Sequence, residues 1–315
     1  MRDAVYDYDQ ALYGRSFLNC FERQCLVMLA AHEPKRSHWL LRRAFISSDA
    51  ILAQIIQEQR PRYDFDSGLL SPDDLSLIGL TLVEAKADTY EEALPLIRDV
   101  VAERGYAFPR VDMFGLPNAE AFRCRHVSHS LIVTSYREDA RSWNVIDDNP
   151  AGVLCEAAYP EGVLRQAYDV NAVRGVRYLT PLANPEPETA AAETVRIRFR
   201  SELSSFHDSR TLFTDLSAIL ATPWLSVNRA YELLHDAFAI HQGARIAFRS
   251  FLTREWDVDT SDLDEIVERS TELRNTFLIA QVRGSLDVAA VAARGAALAD
   301  VESRLHAALL AADPL

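Results

Sequence analysis

Apolar positions in the first hundred residues recur at helical spacing, with capping and turn residues between the apolar runs. Thr89 and Glu92 form a capping box ahead of an apolar stretch that closes at Gly105, which is typical of one complete helix. Four helices are predicted here: residues 16–31, residues 39–59 (which Ser47-Ser48-Asp49 could divide in two), a helix that starts at Ser71-Pro72, and the helix from Thr89 to Gly105.

After Gly105 the pattern changes to short runs of β-type composition separated by turn residues. The predicted strands are residues 107–113, 130–136, 142–146 and 176–179. Helices followed by short consecutive strands indicate an α+β arrangement with an antiparallel sheet.

An acidic segment with two prolines, residues 184–189, is the clearest linker candidate. Beyond it, apolar positions again recur at helical spacing, which predicts a helical bundle. The sequence therefore predicts one domain at 1–183, a linker at 184–189 and an all-α C-terminal domain at 190–315. The alanine-rich end of that domain could cover the bundle core or mediate a homodimer.

Cys20 opens the first apolar helix, where unpaired backbone N–H groups and the helix dipole favour a thiolate. His129 begins a predicted strand later in the chain, and Asp147 closes the next strand. A cysteine, a histidine and an aspartate in this chain order are typical of a papain-like site. Cys20 is then the nucleophile and His129 the general base, which Asp147 orients. Cys25 lies on another face of the helix and is expected to pack in the core.

Two neighbouring residues compete for these roles. His126 precedes His129 by three positions, but strand alternation favours His129 as the residue that faces the helix, which leaves His126 to a substrate pocket or to structure. Asp148 is the alternative to Asp147, and either aspartate could instead satisfy backbone N–H groups of the turn that follows.

Three further segments carry a family resemblance. They are Asn19-Cys20 before the buried helix, the run VDMFGLP at 111–117 that leads through HVSH to SLIVTSY at 130–136, and GARIAFRSFL at 243–252. Together they resemble the family of the butirosin-biosynthesis acyltransferase. The resemblance implies that 1–183 is a papain-like catalytic domain. It also implies a cysteine acyltransferase, or amide synthase, that passes an acyl group through Cys20 to an amine in antibiotic biosynthesis.

The resemblance further implies the partners. An acyl or peptidyl carrier protein would deliver the acyl group on its phosphopantetheine arm to a small amine acceptor, with no other cofactor and no metal. His241, Arg245 and Arg249 are candidates for contact with the carrier or the substrate, because arginine forks suit phosphate. Two other functions would use the same residues: a cysteine peptidase or thioesterase, and a non-catalytic carrier-binding module.

The oxyanion hole is the part of the site in which the sequence departs from the papain pattern. Gly14 occupies the place of the usual glutamine six residues before the cysteine, and Ser135 the place of the usual glycine before the tyrosine in the histidine strand. The backbone N–H of Cys20 is the expected first donor. Asn19 and Gln24 are candidate second donors, although Asn19 also suits an N-cap and Gln24 a supporting position one turn behind Cys20.

Composition narrows the class of protein. A formal charge of −13 argues against nucleic acid as a partner. Four cysteines in 315 residues form neither a disulfide framework nor a paired zinc pattern, so reduced thiols are expected. No run of about 18 apolar residues predicts a membrane span, and the acidic start lacks the features of a signal peptide. A cytoplasmic enzyme is the resulting expectation.

Overall fold

The computed structural model describes residues 8–9, 12–13, 16–149, 152–256 and 258–312. The α-helices are α1 (Cys20–His32), α2 (Ser48–Ile51), α3 (Pro72–Leu77), α4 (Tyr90–Arg104), α5 (Glu161–Asp169), α6 (Glu188–Ser205), α7 (Thr211–Thr214), α8 (Leu216–Leu220), α9 (Val227–Glu255), α10 (Ser261–Arg283) and α11 (Val288–Ala311). The strands are β1 (Leu80–Ala85), β2 (Phe108–Asp112), β3 (Ser128–Ser130), β4 (Ile132–Arg137), β5 (Ser142–Asp148), β6 (Leu154–Pro160) and β7 (Val176–Pro181). Shorter helical pieces are the 3₁₀ turns Ser37–Ala44, Arg62–Asp64 and Met113–Gly115 and the π-helix Leu52–Gln57.

Contacts divide the chain into two compact units, and neither unit is one continuous stretch. The first unit comprises Cys20–His32 and Ser71–Glu186 with the described residues before them, 8 and 9. The second comprises Glu33–Leu70 and the chain from Pro187 onward, with the described residues of 12–19. The division after Glu186 falls inside the segment 184–189. The domains 1–183 and 190–315 stay a prediction, since grouping by contacts does not test which stretch folds alone.

The first unit combines helices with two antiparallel sheets, so the predicted α+β class is confirmed. One sheet has the strand order β1-β7-β2-β3 and the other β4-β5-β6. Within the described residues, a bridge between Ala107 and Val133 links the two sheets. His129 pairs with Val111 in the first sheet, whereas Asp147 pairs with Cys155 in the second. Two of the candidate residues therefore lie in different sheets.

The core of the first unit fixes β5, the strand that carries Asp147. Trp143 on this strand is fully buried, and its indole N–H donates to the Tyr90 hydroxyl of α4 at 2.7 Å. Tyr168 of α5 is also fully buried, and its hydroxyl donates to the Ala87 carbonyl at 2.8 Å. Buried aromatic groups whose polar ends are satisfied hold the strand in one register.

The capping predictions are confirmed in this unit. Ser71 and Thr89 accept hydrogen bonds from Asp74 and Glu92 at the starts of α3 and α4, and Gly105 closes α4 with a left-handed φ of 83°. The first apolar helix begins at Cys20, four residues later than predicted, and residues 21–29 are all buried. Cys20 therefore occupies the first turn, as the nucleophile prediction requires.

The second unit is helical, as predicted, and the apolar faces of its long helices pack together. The predicted division of 39–59 is confirmed: Ser47 caps α2, with a 3₁₀ segment before it and a π-helix after it. On α11 the buried side chains recur at helical spacing, from Val291 to Leu309. Across the described ranges, no helix combines the length and apolarity needed to span a bilayer.

Candidate active site

Three elements of the first unit bring Cys20, His129 and Asp147 together. His129 Nε2 lies 2.7 Å from Asp147 Oδ1, and both side chains are buried, with 5% and 6% exposed. The Cys20 thiol is hydrogen bonded to the same imidazole. Cys20 itself is half-buried. The three residues that the sequence singled out as a site are thus joined by direct contacts.

The hydrogen bonds define the role of each ring nitrogen. Because Asp147 holds Nε2 of His129, Nδ1 remains to serve the Cys20 thiol. Asp147 Oδ1 also accepts the backbone N–H of Asp148 at 2.8 Å, which fixes the carboxylate against its own strand. The ring is therefore oriented by a carboxylate that is itself held in place.

Electrostatics favour a cationic His129. Burial alone lowers the pKa of His129, but the charge and hydrogen bond of Asp147 raise it, and the Cys20 thiol adds to that rise. The net pKa of His129 lies well above its ordinary value. The raised pKa favours the imidazolium form of His129 beside Cys20, and an imidazolium can donate a proton to a leaving group.

Asp148, the alternative carboxylate, has a different partner. It forms a buried ion pair with Arg23 of α1, whose guanidinium also donates to the Gly152 carbonyl at 2.9 Å and the Tyr8 hydroxyl at 3.1 Å. Asp147 is thus the carboxylate on the histidine, and Asp148 anchors the end of β5 to the helix.

His126, the alternative histidine, is held away from this cluster. Its side chain is 63% exposed, and its Nδ1 lies 2.9 Å from Asp112 Oδ2. Its ring stacks on Phe114 with centroids 4.4 Å apart. Of the two histidines, the structure brings His129 to Cys20.

Comparison with known proteins bears on the chemistry of this cluster. No protein-family model matches the chain. It is 28% identical over 199 residues, 62% of its length, to a curated protein of Niallia circulans named ribostamycin:4-(gamma-L-glutamylamino)-(S)-2-hydroxybutanoyl-[BtrI acyl-carrier protein] 4-(gamma-L-glutamylamino)-(S)-2-hydroxybutanoate transferase. The predicted resemblance to the butirosin-biosynthesis acyltransferase family is confirmed. The match spans 64% of that relative's length.

The relative is a transferase, and its name specifies an acyl group carried on an acyl-carrier protein. This agrees with the class of reaction that the motifs of the acyltransferase family imply. The name assigns no residue to the reaction, so the roles within the Cys20 cluster come from the geometry above.

The two candidate second donors for the oxyanion hole differ in burial. Gln24 is buried, and its amide is engaged with Ser130: its Nε2 donates to the Ser130 carbonyl at 2.6 Å, and its Oε1 accepts from the Ser130 hydroxyl. Asn19 is half-buried and directly precedes α1. Gly14 lies outside the described residues. Ser135 accepts from Asn144 at 2.7 Å on β4. The backbone N–H of Cys20, which has no helical partner at this position, remains the predicted donor.

The other three cysteines are one buried thiol and two exposed thiols, of which Cys155 is the strand partner of Asp147. Cys25 is fully buried, and burial raises the pKa of its thiol, to which the charge of Glu22 adds. This agrees with the predicted core packing. Cys124 and Cys155 are exposed.

The candidate carrier contacts lie in the second unit, and two of the three are enclosed. Arg245 and His241 are completely buried and contact Glu302, and Arg245 also donates to the carbonyls of Ala44 and Ile46. In these positions neither side chain presents a surface to a carrier. Arg249 is 39% exposed and paired with Asp264 on the next helix.

Proposed function

We propose that this chain is a cysteine acyltransferase with a papain-like catalytic fold. It takes an acyl group from a carrier-protein thioester and passes it, through an acyl-Cys20 intermediate, to an amine, making an amide in natural-product biosynthesis. The hydrogen-bonded series from Cys20 through His129 to Asp147 is the observation that carries this proposal. The relative's transferase name supports the acyl-carrier donor. A helix that bears the nucleophile ahead of antiparallel sheets supports the fold.

In the first half-reaction the Cys20 thiolate attacks the thioester carbonyl. The oxyanion that forms is stabilised by the backbone N–H of Cys20, and one such donor is worth roughly 10²–10³ in rate. Collapse of this intermediate breaks the bond to the carrier sulfur. The His129 imidazolium protonates that sulfur, so a free carrier thiol leaves and His129 becomes neutral.

In the second half-reaction the amine attacks acyl-Cys20. Neutral His129 accepts a proton from the amine nitrogen, the new C–N bond forms, and Cys20 leaves as a thiolate beside the regenerated imidazolium. The net products are an amide and a carrier thiol. The proposed partners are a phosphopantetheinylated carrier protein and a small amine, the residues alone supply the chemistry without another cofactor, and the reaction takes place in the cytoplasm.

The test measures intact protein mass after incubation with short-chain, hydroxyacyl and aminoacyl thioesters of a phosphopantetheinylated carrier. The expected result is an acyl adduct on the wild type that is absent from Cys20→Ala. A Cys124→Ala/Cys155→Ala variant removes the exposed thiols and should keep the adduct. No adduct with any donor, or an adduct that persists in Cys20→Ala, would overturn the proposal.

Discharge of the adduct separates transfer from hydrolysis. A transferase releases the acyl group faster with an added amine than in buffer, and the product mass is that of the amide. Release at one rate with and without amine, giving a free acid, would show a thioesterase or peptidase instead.

A further inference from the structure

Two side chains that follow the nucleophile on α1 reach toward the other two candidate residues. Arg23 and Gln24 lie three and four positions after Cys20, so all three occupy one face of the helix. Both are buried, with 2% and 1% of their surfaces exposed. A buried arginine and a buried glutamine beside a reactive thiol need an explanation, because each side chain loses water on burial.

Gln24 binds the strand that carries His129. Its amide exchanges two hydrogen bonds with Ser130, the residue directly after His129: one to the backbone carbonyl at 2.6 Å and one from the hydroxyl. A primary amide has one donor side and one acceptor side, and Ser130 engages both. The two hydrogen bonds together hold β3 in a defined position against the helix.

Arg23 binds the strand that carries Asp147. Its guanidinium pairs with Asp148, the residue directly after Asp147, and bonds the Gly152 carbonyl in the following turn. The backbone N–H of Asp148 donates in turn to Asp147. The helix is therefore tied to the last residue of β5.

The two sets of contacts complement each other because His129 and Asp147 belong to different sheets, which in the described part of the chain are linked through the bridge between Ala107 and Val133. Gln24 contacts Ser130, the residue after His129, and Arg23 contacts Asp148, the residue after Asp147. Both side chains come from the helix that carries Cys20. We propose that Arg23 and Gln24 are positioning residues that set α1 against both sheets at once and so align thiol, imidazole and carboxylate. This inference rests on the proposed roles of Cys20, His129 and Asp147.

The test uses alkylation of Cys20 by iodoacetamide, followed by intact mass across pH 5 to 9 in a Cys124→Ser/Cys155→Ser background. Alkylation reports the thiol and imidazole pair and needs no acyl donor. Arg23→Met and Gln24→Leu should each lower the rate near neutral pH by about tenfold and move the half-maximal pH upward, because a misaligned imidazolium no longer holds the thiolate. Arg23→Lys should recover part of the rate, since it keeps the charge but loses the fork.

Matched controls remove similar side chains from the second unit. Arg42 is a buried arginine paired with Glu202, and Gln242 is a half-buried glutamine bonded to Thr271. Arg42→Met and Gln242→Leu should leave the pH profile of alkylation unchanged. Where Arg23→Met or Gln24→Leu does not fold, Asp148→Asn removes the charge that pairs with Arg23, and Ser130→Ala removes the hydroxyl that bonds Gln24. Both should shift the profile in the same direction.

Folded variants of Arg23 and Gln24 with the wild-type profile, or with shifts no larger than those of the controls, would overturn the inference. It can fail separately from the proposed function. Wild-type acyl transfer with an unmoved alkylation profile overturns the positioning roles alone. The expected alkylation shifts without any acyl adduct support the positioning roles and overturn acyl transfer.

Discussion

Each unit of the molecule contains a buried histidine against a buried carboxylate, but in the second unit an arginine shares that carboxylate. His129 lies 2.7 Å from Asp147. His241 lies 2.9 Å from Glu302, which Arg245 also contacts at 2.7 Å. Burial by itself would lower the pKa of both histidines. For His129 the carboxylate outweighs burial and the pKa rises, whereas for His241 the charge of Arg245 adds to burial and the pKa falls.

The comparison shows that a nearby arginine helps to decide whether the pKa of a buried histidine rises or falls. In the first unit the arginine, Arg23, is paired with Asp148, which leaves Asp147 to the histidine. The result is a histidine of raised pKa beside the half-buried Cys20. In the second unit His241 and Arg245 of α9 are sealed from solvent, and both contact Glu302 of α11. Similar residue types thus give the proposed reactive cluster in one unit and an enclosed cluster in the other.

The largest expected effect is on acyl transfer when the two histidines are replaced in turn. His129→Gln should slow formation of acyl-Cys20 by about 10²–10⁴-fold, the usual contribution of a positioned acid and base. His241→Gln should leave that rate unchanged, because its ring is enclosed in the other unit. Rapid-quench mass spectrometry with a carrier thioester measures both. Equal losses in the two variants would break the distinction between the clusters.

The second effect is on stability. Glu302→Gln leaves the fully buried Arg245 without its counterion, which should lower the free energy of unfolding by about 3–5 kcal/mol in urea denaturation. The control is Asp264→Asn, which removes the exposed partner of Arg249 and should cost no more than about 1 kcal/mol. A loss from Glu302→Gln as small as the control's would mean that the second cluster contributes little to folding.

The pH dependence of stability should have opposite signs in the two clusters. Burial alone would raise the pKa of Glu302, but the charge of Arg245 holds it at about 2, below its ordinary 4.5. Its contribution is therefore complete above 4.5 and lost as the pH falls toward 2. The raised pKa of His129 acts the other way: its contribution is complete below 6.5 and lost as the pH rises through the raised value.

Urea denaturation of the wild type, Glu302→Gln and His129→Gln over a range of pH measures this contrast. The stability gap between wild type and Glu302→Gln should narrow in acid. The gap between wild type and His129→Gln should narrow in alkali. Gaps that change in the same direction would contradict the assignment of a lowered pKa to Glu302 and a raised pKa to His129.

Much of the fold and the main candidate residues could be predicted from local patterns. The caps at Thr89 and Gly105, the helix that starts near Cys20 and the strand phase that favours His129 are all encoded within a few residues. β6 escaped prediction because its sequence, LCEAAYP, lacks alternation, and it forms by pairing along the whole length of β5. Such a strand depends on its neighbour rather than on its own composition.

Contacts that depend on tertiary approach could not be predicted. The sequence placed Gln24 behind Cys20 but gave no sign that Ser130 would take both sides of its amide, and Arg23 carried no signal at all. A charged residue in a predicted helix likewise does not reveal whether its side chain is buried. Arg245 and Arg249, four residues apart on α9, were predicted together as surface contacts, yet Arg245 is sealed and Arg249 partly exposed.

The smallest expected effect belongs to His126, the alternative histidine of the sequence analysis. Its exposed ring stacks on Phe114 and bonds the buried Asp112, whose carboxylate also accepts from the backbone N–H groups of Phe114 and Val127. His126→Ala should change the rates of Cys20 alkylation and acyl-Cys20 formation by no more than about twofold, because the His126 ring is not part of the Cys20 cluster. The paired control is His129→Gln, assayed on the same day and in the same buffers. If His126→Ala slowed both reactions as strongly as His129→Gln, His126 would act on Cys20 in solution, and the enclosed pair of His129 and Asp147 would be as structural as the cluster around Glu302.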